Sequence, residues 1–152
     1  MSEGARVSQA VKILLAEDNP ADVWLIREAL MRQSLQCEIE HYTSAEEAIR
    51  GIERCDGEAA APDLILVDYN LPTGDGSQIL AAASSNPHLA QVPKAVLSSY
   101  MRPHEMDRIR ELGAAAFIAK PANLREFLSE VGATVARLLR DSPVQRSLEQ
   151  QD

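Results

Sequence analysis

Short apolar runs alternate along the chain with longer segments in which apolar residues recur at helical spacing. Four runs are almost continuously apolar, and they span residues 11–16, 64–67, 95–97 and 115–119. Runs of this length are typical of strands covered on both faces, as in a parallel sheet. A fifth segment, residues 37–42, alternates apolar and polar residues, which predicts a strand with a partly exposed face at a sheet edge.

The segments between these runs carry helix start and stop signals. Asn19, followed by a proline, supplies an N-cap and a first helical residue, and Ser44 with Glu47 matches a capping box. Asn123 opens a further helix in the same manner, and Gly113 is placed to end the helix before it. These signals predict that each strand is followed by a helix.

Strands that alternate with helices predict an α/β fold, a doubly wound parallel sheet with helices on both faces. With the second strand at an edge, the strand order along the sheet is 2-1-3-4-5. We assign residues 11–140 to this single domain, residues 1–10 to a flexible N-terminus and residues 141–152 to a C-terminal tail. Residues 57–62 are expected to form a loop.

The charge of the chain narrows the classes of partner. Its 152 residues include 15 Lys and Arg against 23 Asp and Glu, which leaves a formal net charge of −8. This balance argues against a general nucleic-acid binder and against an anionic membrane surface as partner. Cys37 and Cys55 have no metal-ligand spacing, and the first residues do not resemble a signal peptide. The expected compartment is the cytoplasm.

Acidic residues follow two of the predicted strands directly. Glu17 and Asp18 end the first strand, and Asp68 ends the third. In an open α/β sheet the ligand site lies at the carboxyl ends of the strands where the order reverses, which here is between the first and third strands. Three carboxylates in one crevice repel each other, and a bound Mg²⁺ ion relieves that repulsion. The alternative is a set of solvated strand-end acids without a ligand.

The last two strands end in residues of complementary chemistry. Ser98 ends the fourth strand and Lys120 the fifth, and a cis bond at Pro121 would aim Lys120 inward. A hydroxyl, an ammonium and a metal ion together suit a tetrahedral phosphoryl dianion. The alternatives are a strand-end cap for Ser98 and a surface lysine for Lys120.

In combination these residues resemble the response-regulator receiver domain of bacterial two-component signalling. The similarity covers residues 11–139, and its motifs include Asp68-x-Asn70 with Pro72 and the pair Lys120-Pro121. It implies a flavodoxin-like (βα)5 fold with the order 2-1-3-4-5, which is therefore not an independent prediction. It also implies that a sensor histidine kinase phosphorylates Asp68 and that the protein signals through protein contacts rather than as a turnover enzyme.

The resemblance also implies roles for single residues. Asp18 would bind Mg²⁺ directly, Glu17 through water, and Asn70 through its backbone carbonyl. Lys120 and Ser98 would contact the phosphoryl group. Further implied roles are a switch aromatic for Phe117, which lacks the tyrosine hydroxyl, and control of the phosphoryl lifetime by Asn70 and Tyr100.

The segment from Leu15 to Val23 narrows the similarity to stand-alone regulators paired with bacterial phytochrome-type kinases. Several such proteins dimerise through an extended C-terminal segment, so the resemblance implies a homodimer with residues 141–152 as a candidate arm. Trp24 is interpreted either as a half-buried residue that covers an edge or as a contact for the kinase helical bundle. No metal or catalytic role is assigned to His41, His88 or His104.

Two other function classes stay open at this point. One is a pseudo-receiver, an adaptor that binds partners without being phosphorylated. The other is a flavodoxin-like or Mg²⁺-dependent phosphohydrolase. Phosphate incorporation separates the first from a receiver, and steady phosphate release or a bound flavin would identify the second.

Overall fold

A five-stranded parallel sheet forms the centre of the molecule. The computed structural model describes residues 10–120 and 123–141. The strands lie in the order β2-β1-β3-β4-β5, which confirms the predicted topology. Their bounds are β1 Val11–Ala16, β2 Cys37–Tyr42, β3 Leu64–Asp68, β4 Lys94–Ser98 and β5 Ala116–Ala119.

Five α-helices cover the two faces of this sheet. Their bounds are α1 Pro20–Arg32, α2 Ala45–Glu53, α3 Gly76–Ser85, α4 Pro103–Glu111 and α5 Leu124–Asp141. Alternate residues of β1 and β3 enter two separate apolar clusters, because successive side chains of a strand point to opposite faces. One cluster packs against α1 and α5, and the other packs against α2, α3 and α4. The central strands are therefore apolar on both faces, as the uninterrupted runs predicted.

Two helix starts follow the predicted capping chemistry to different extents. The Asn19 side chain accepts a hydrogen bond from the amide of Ala21 at 2.9 Å, which caps α1. Ser44 accepts from the amide of Glu47 at 3.2 Å, which caps α2. The Glu47 carboxylate, however, accepts from the Thr43 hydroxyl at 3.3 Å. The second hydrogen bond of the predicted capping box, from the Ser44 amide to the Glu47 side chain, is therefore wrong. The Thr43 hydroxyl binds the Glu47 carboxylate instead.

The helices α1 and α5 approach each other closely at Gly132. A Cβ atom at this position would lie 3.0 Å from the Ala29 carbonyl oxygen, which is closer than a side chain tolerates without a shift. The absence of a side chain at Gly132 therefore sets how closely α5 packs on α1.

Three predictions fall wholly or partly outside the described residues. These are the flexible N-terminus, the cis bond at Pro121 and the C-terminal tail as a dimerisation arm, and each stays a prediction. Within the described part of the chain, residues 57–62 contain a short 3-10 helix, Glu58–Ala60, so the predicted loop is partly helical. No helix among the described residues has the length and hydropathy needed to cross a bilayer.

Candidate functional site

Three acidic side chains meet at the carboxyl ends of β1 and β3. Ala16 pairs with Val67, so the residues that follow them emerge side by side at one edge of the sheet. Carboxylate oxygens of Glu17, Asp18 and Asp68 all lie within 4.8 Å of one another. Glu17 and Asp68 are buried, whereas Asp18 is exposed. The structure thus brings together the three acids that sequence analysis placed in one crevice.

Lys120 reaches into this acidic cluster from the end of β5. Its ammonium donates to Asp68 Oδ2 at 2.7 Å, to Asp22 Oδ2 at 2.9 Å and to Glu17 Oε2 at 3.0 Å. The lysine side chain is only 10% exposed. One cation is therefore shared among three carboxylates in a poorly hydrated site, where charge interactions are stronger than in water.

The charges in the cluster alter the proton affinity of two groups. Burial raises the pKa of Glu17 from 4.5 to about 7, and the nearby Asp68 charge adds to this increase. Burial lowers the pKa of Lys120, but hydrogen bonds to Asp68 and Asp22 outweigh it and raise that pKa above its usual value. The lysine therefore stays charged, and the acids retain an excess of negative charge that it does not neutralise.

This donor set fits a hard divalent cation. Carboxylate oxygens with access to water are the ligands that Mg²⁺ and Mn²⁺ prefer. Asp18 is open to solvent, while Glu17 and Asp68 supply oxygens from the buried side of the cluster. The raised pKa of Glu17, which comes first from burial and then from the Asp68 charge, shows that its anionic form is poorly stabilised in this site, and a bound cation would stabilise it.

The backbone around Asp68 holds its carboxylate in a defined orientation. The amide of Asn70 donates to Asp68 Oδ1 at 3.0 Å, while Lys120 holds the other oxygen. A Cβ atom on Gly76 would lie 3.1 Å from Tyr69 Cα and 3.2 Å from the Asp68 carbonyl oxygen. A side chain at position 76 would therefore require the backbone at the strand end to shift by a few tenths of an ångström.

The intervening loop forms a short antiparallel hairpin between Asn70–Leu71 and Gly74–Asp75. Asp75 and Gln78 then form a reciprocal capping box at the start of α3. One proline and two glycines within residues 72–76 indicate a tight, ordered turn here, whereas the capping box is visible only in the structure.

Ser98 lies at the end of β4 with its hydroxyl turned into the loop that follows. Ser98 Oγ donates to the Tyr100 carbonyl at 2.7 Å and accepts from the Tyr100 amide at 3.1 Å. The backbone carbonyl of Ser98 accepts from the Lys120 amide at 2.8 Å. Ser98 thus stands beside Lys120, with its hydroxyl held by the Tyr100 backbone.

Phe117 lies on β5 and is half-buried against the apolar cluster that contains α4. It lines a cavity of about 170 Å³ together with Met106, Ile109 and Arg110 of α4 and residues 114–116. Its neighbours in this cavity include three consecutive alanines, whose small side chains leave the space open. The ring therefore borders an open groove between α4 and the start of β5.

Two aromatic residues among the predicted site residues are exposed. The side chain of Trp24 on α1 has an exposed fraction of 61%, and that of Tyr100 after β4 has one of 73%. The alternative in which Trp24 is a half-buried residue covering an edge is therefore wrong. Both rings are accessible to a partner molecule.

Sequence analysis did not predict that Asp22 and His41 contact the cluster. Asp22 binds Lys120, and the His41 ring donates from Nε2 to the Glu17 carbonyl oxygen at 2.8 Å. His41 was assigned no metal or catalytic role, and its contact is with the backbone that carries Glu17. The pairing of Leu15 with His41 in the β1–β2 register explains its position. A register prediction could have found His41, whereas no local pattern marks Asp22 as more than a first-turn acid.

Most of this chain is similar to known response-regulator receiver domains, both in sequence and in structure. The family model described as "Response regulator receiver domain" matches residues 13–132. Response regulator Rcp1 of Synechocystis sp. is 31% identical over an alignment of 122 residues, which covers 78% of this chain and 82% of Rcp1. The crystal structure of the phosphorylated cyanobacterial phytochrome response regulator RcpA superposes with a TM-score of 0.76 at 34% identity, covering 86% of this chain and 95% of that chain.

The Mn²⁺-bound form of Rcp1 superposes with a TM-score of 0.75 at 29% identity, covering 86% of this chain and 96% of that chain. That relative holds a divalent cation, and the three clustered acids of this chain are suited to one as well. The matched residues contain four of the five strands in full and β1 from its third residue onward, and they include the strand ends at which Glu17, Asp68 and Lys120 meet. On its family match, its strand order and its relatives, this chain belongs to the response-regulator receiver domain family.

Proposed function

We propose that this protein accepts a phosphoryl group on Asp68 from a sensor histidine kinase, with Mg²⁺ as cofactor, and signals through protein contacts. The observation that carries the proposal is the setting of the Asp68 carboxylate. It is buried at a strand end, bound by Lys120 on one oxygen and by the Asn70 amide on the other, and it lies beside two further acids. A carboxylate held in this way is prepared to act as a nucleophile.

The proposed step transfers the phosphoryl group from a kinase phosphohistidine. An Asp68 carboxylate oxygen forms a bond to phosphorus as the phosphorus–nitrogen bond breaks. The bonding electron pair stays on the imidazole nitrogen, which then takes a proton from solvent. The transition state of phosphoryl transfer is loose, so the protein contributes by positioning and by charge stabilisation. Lys120 supplies a positive charge 2.7 Å from the attacking carboxylate, and the Asn70 amide holds its orientation.

Glu17, Asp18 and Asp68 are the side chains that would hold the cation, with the Asn70 backbone carbonyl as a further ligand. Asp18 would bind it directly and Glu17 through water. When bound, a divalent cation neutralises charge on the phosphoryl oxygens. The net negative charge of the cluster supports this assignment, because a phosphoryl dianion approaching it would otherwise be repelled.

The switch that we propose starts at Ser98. Its hydroxyl now bonds the Tyr100 backbone, and it would exchange that partner for a phosphoryl oxygen. The Ser98–Tyr100 loop would move with it, and Phe117 would turn into the space released beside β4. The cavity next to Phe117 supports this element, since a ring needs free volume in order to change its position. The face formed by α4, β5 and α5 would then differ between the two states.

The product would be a short-lived acyl phosphate on Asp68, and the protein would not act as a turnover enzyme. A mixed anhydride hydrolyses in water, so one phosphoryl group is received and later lost without further chemistry. Asn70 and Tyr100 are both exposed next to the strand ends, and we propose that their side chains set how readily water reaches the phosphoryl group.

The partner is proposed to be a phytochrome-type histidine kinase. The similarity to RcpA, a phytochrome response regulator at 34% identity, supports this proposal. The exposed Trp24 on α1 is the proposed contact for the kinase helices, because aromatic side chains are frequent anchors in interfaces. The homodimer implied by the resemblance stays a prediction, and a sedimentation experiment that finds only monomers in both phosphorylation states would contradict it.

A phosphotransfer profile tests the proposed function. Histidine kinases of the same cell are labelled with radioactive phosphate and mixed with the protein, and acetyl phosphate serves as a kinase-independent donor. We expect stoichiometric, hydroxylamine-sensitive labelling and rapid transfer from one kinase. No labelling from either donor would indicate a pseudo-receiver. Steady release of many phosphates per molecule would indicate a phosphohydrolase.

Removing divalent cations is expected to slow labelling by acetyl phosphate about a hundredfold, because charge neutralisation by a metal is worth several kcal/mol. The measurement compares initial rates in EDTA with rates after Mg²⁺ or Mn²⁺ is restored. Binding of Mn²⁺, followed by electron paramagnetic resonance, gives a readout that does not depend on labelling. Rates in EDTA equal to those in Mg²⁺ would contradict the cofactor assignment.

Replacing Trp24 by Ala is expected to slow transfer from the cognate kinase about tenfold while leaving labelling by acetyl phosphate unchanged. An aromatic residue that anchors an interface contributes a binding free energy large enough for a tenfold change in transfer rate. Labelling by acetyl phosphate does not use that interface. Met31→Ala is the matched control, because Met31 is also an exposed apolar residue of α1. Equal kinase rates for wild type and Trp24→Ala would exclude this contact.

A further inference from the structure

Asp22 lies in the first turn of α1, and its carboxylate points at Lys120 rather than at its own helix. The distance from Asp22 Oδ2 to Lys120 Nζ is 2.9 Å, across 98 positions of sequence. An acid in the first turn is common because it complements the helix dipole. The N-terminus of α1, however, is already capped by Asn19. Stabilisation of α1 alone therefore does not explain why the Asp22 carboxylate contacts Lys120.

The ammonium of Lys120 has three hydrogens, and three carboxylates receive them. Two of these carboxylates change their surroundings during the proposed reaction. Asp68 becomes an acyl phosphate and loses its negative carboxylate, and Glu17 belongs to the cluster that would hold the cation. Asp22 is the member of this set that stays unaltered.

We propose that Asp22 is a positioning residue, which holds the Lys120 ammonium beside Asp68 before the transfer and beside the phosphoryl group after it. The inference rests on the proposed function. A lysine side chain has many rotamers and a strongly hydrated head, so it moves to solvent when its anionic partners are lost. The Asp22 side chain is 20% exposed and fixed to a helix. It therefore offers a constant anchor on the side of the ammonium that faces α1.

The first test compares labelling rates with acetyl phosphate in Mg²⁺ for two variants of Asp22. Asp22→Ala is expected to slow labelling about tenfold, which is the size of one charge-assisted hydrogen bond. Asp22→Asn keeps an oxygen that accepts from Lys120, so its rate is expected to fall no more than about threefold. An unchanged or increased rate for Asp22→Ala would overturn the proposal.

Glu28→Ala is the matched control for these variants. Glu28 is a partly buried acid of the same helix, paired with Arg32 at 3.7 Å. Its removal takes the same charge from α1 without touching Lys120, so the labelling rate is expected to stay at that of wild type. A similar loss in Glu28→Ala and Asp22→Ala would show a general charge effect and would overturn the proposal.

A double-mutant cycle tests whether Asp22 acts through Lys120. In the background Lys120→Met, the added change Asp22→Ala is expected to alter the remaining rate less than about twofold, because the ammonium that it positions is gone. A further tenfold loss in this background would show that Asp22 acts on the donor or the cation directly and would overturn the positioning role. Circular dichroism establishes that each variant is folded before its rate is compared.

The position of the ammonium is also measured without any phosphorylation. In a ¹H–¹⁵N spectrum of the side-chain ammonium groups, a Lys120 held by three carboxylates is expected to give a slowly exchanging signal. We expect this signal to be lost in Asp22→Ala and kept in Asp22→Asn and Glu28→Ala. If wild type takes up no phosphate, the proposed function fails while this experiment still decides the role of Asp22. Identical Lys120 signals in wild type and Asp22→Ala would overturn the positioning role.

Discussion

Replacing Asp68 by Asn is expected to abolish phosphate incorporation from both acetyl phosphate and the kinase, a loss of at least about a thousandfold. The amide has nearly the same shape as the carboxylate and still has an oxygen for Lys120 or the Asn70 amide. It lacks the charged oxygen that attacks phosphorus. The measurement is hydroxylamine-sensitive labelling at saturating Mg²⁺, with the modified residue located by mass spectrometry.

Asp63→Asn is the matched control for this variant. Asp63 precedes the same strand, β3, at its opposite end, where its carboxylate accepts from the Lys12 amide at 2.9 Å. It is removed from the phosphoryl site, so we expect this variant to be labelled like wild type. Labelling of the Asp68→Asn variant at the wild-type rate, whether at the substituted position or on Asp18, would defeat the assignment of the phosphoacceptor.

Replacing Lys120 by Met is expected to lower the free energy of unfolding by about 3 kcal/mol in EDTA, because Glu17 and Asp68 then remain buried without their counter-charge. For a domain of this size that corresponds to a decrease in Tm of roughly 6–12 °C. Thermal unfolding followed by circular dichroism measures this change. Added Mg²⁺ is expected to restore part of the loss, because a cation that binds only the folded state stabilises it.

The pH dependence of this destabilisation has a definite sign. The pKa of Glu17 is raised to about 7 in the folded protein, and loss of the Lys120 charge raises it further. Around pH 7–8 the folded variant therefore binds more protons than folded wild type, so its stability falls more steeply as the pH rises. The loss caused by Lys120→Met is expected to be larger at pH 8 than at pH 6.

Lys12→Met serves as the control, since Lys12 is exposed and its ammonium contacts only a carbonyl oxygen, that of Ala59 at 3.3 Å, among the hydrogen bonds of the described residues. Its stability is expected to change by no more than about 0.5 kcal/mol. If Lys120→Met is as stable as Lys12→Met at pH 8, the ammonium does not offset the charge of the buried acids.

The strands and helices could be predicted from the sequence because the residue patterns that indicate them lie within short segments. The apolar run of β3 needs no knowledge of the rest of the chain to be recognised as a strand buried on both faces. The alternation in β2 likewise marked it as an edge strand, and its bounds match the prediction residue for residue. The rule that ligands bind at carboxyl strand ends then placed Glu17, Asp18 and Asp68 together before any distance was known.

Lys94 illustrates the opposite case. From the sequence it is a lysine at the start of an apolar run, with nothing to distinguish it from a surface residue. In the structure it is almost fully buried, and its ammonium donates to the carbonyl oxygens of Leu89, Ala90 and Val92 at 2.8–3.2 Å. The turn before β4 supplies these acceptors, and a turn's carbonyl directions do not follow from residue types.

The sequence by itself determined the strands and the acids at the strand ends, because periodicity and strand polarity are properties of short segments, and the family resemblance supplied the strand order. Only the tertiary structure decided that Asp22 shares Lys120 with Glu17 and Asp68, that His41 holds the Glu17 carbonyl and that Ser98 faces the Tyr100 backbone. These contacts join side chains whose separation depends on how helices and loops pack on the sheet. That packing is set by the sum of many small interactions over the whole chain, and no short segment of the sequence contains it.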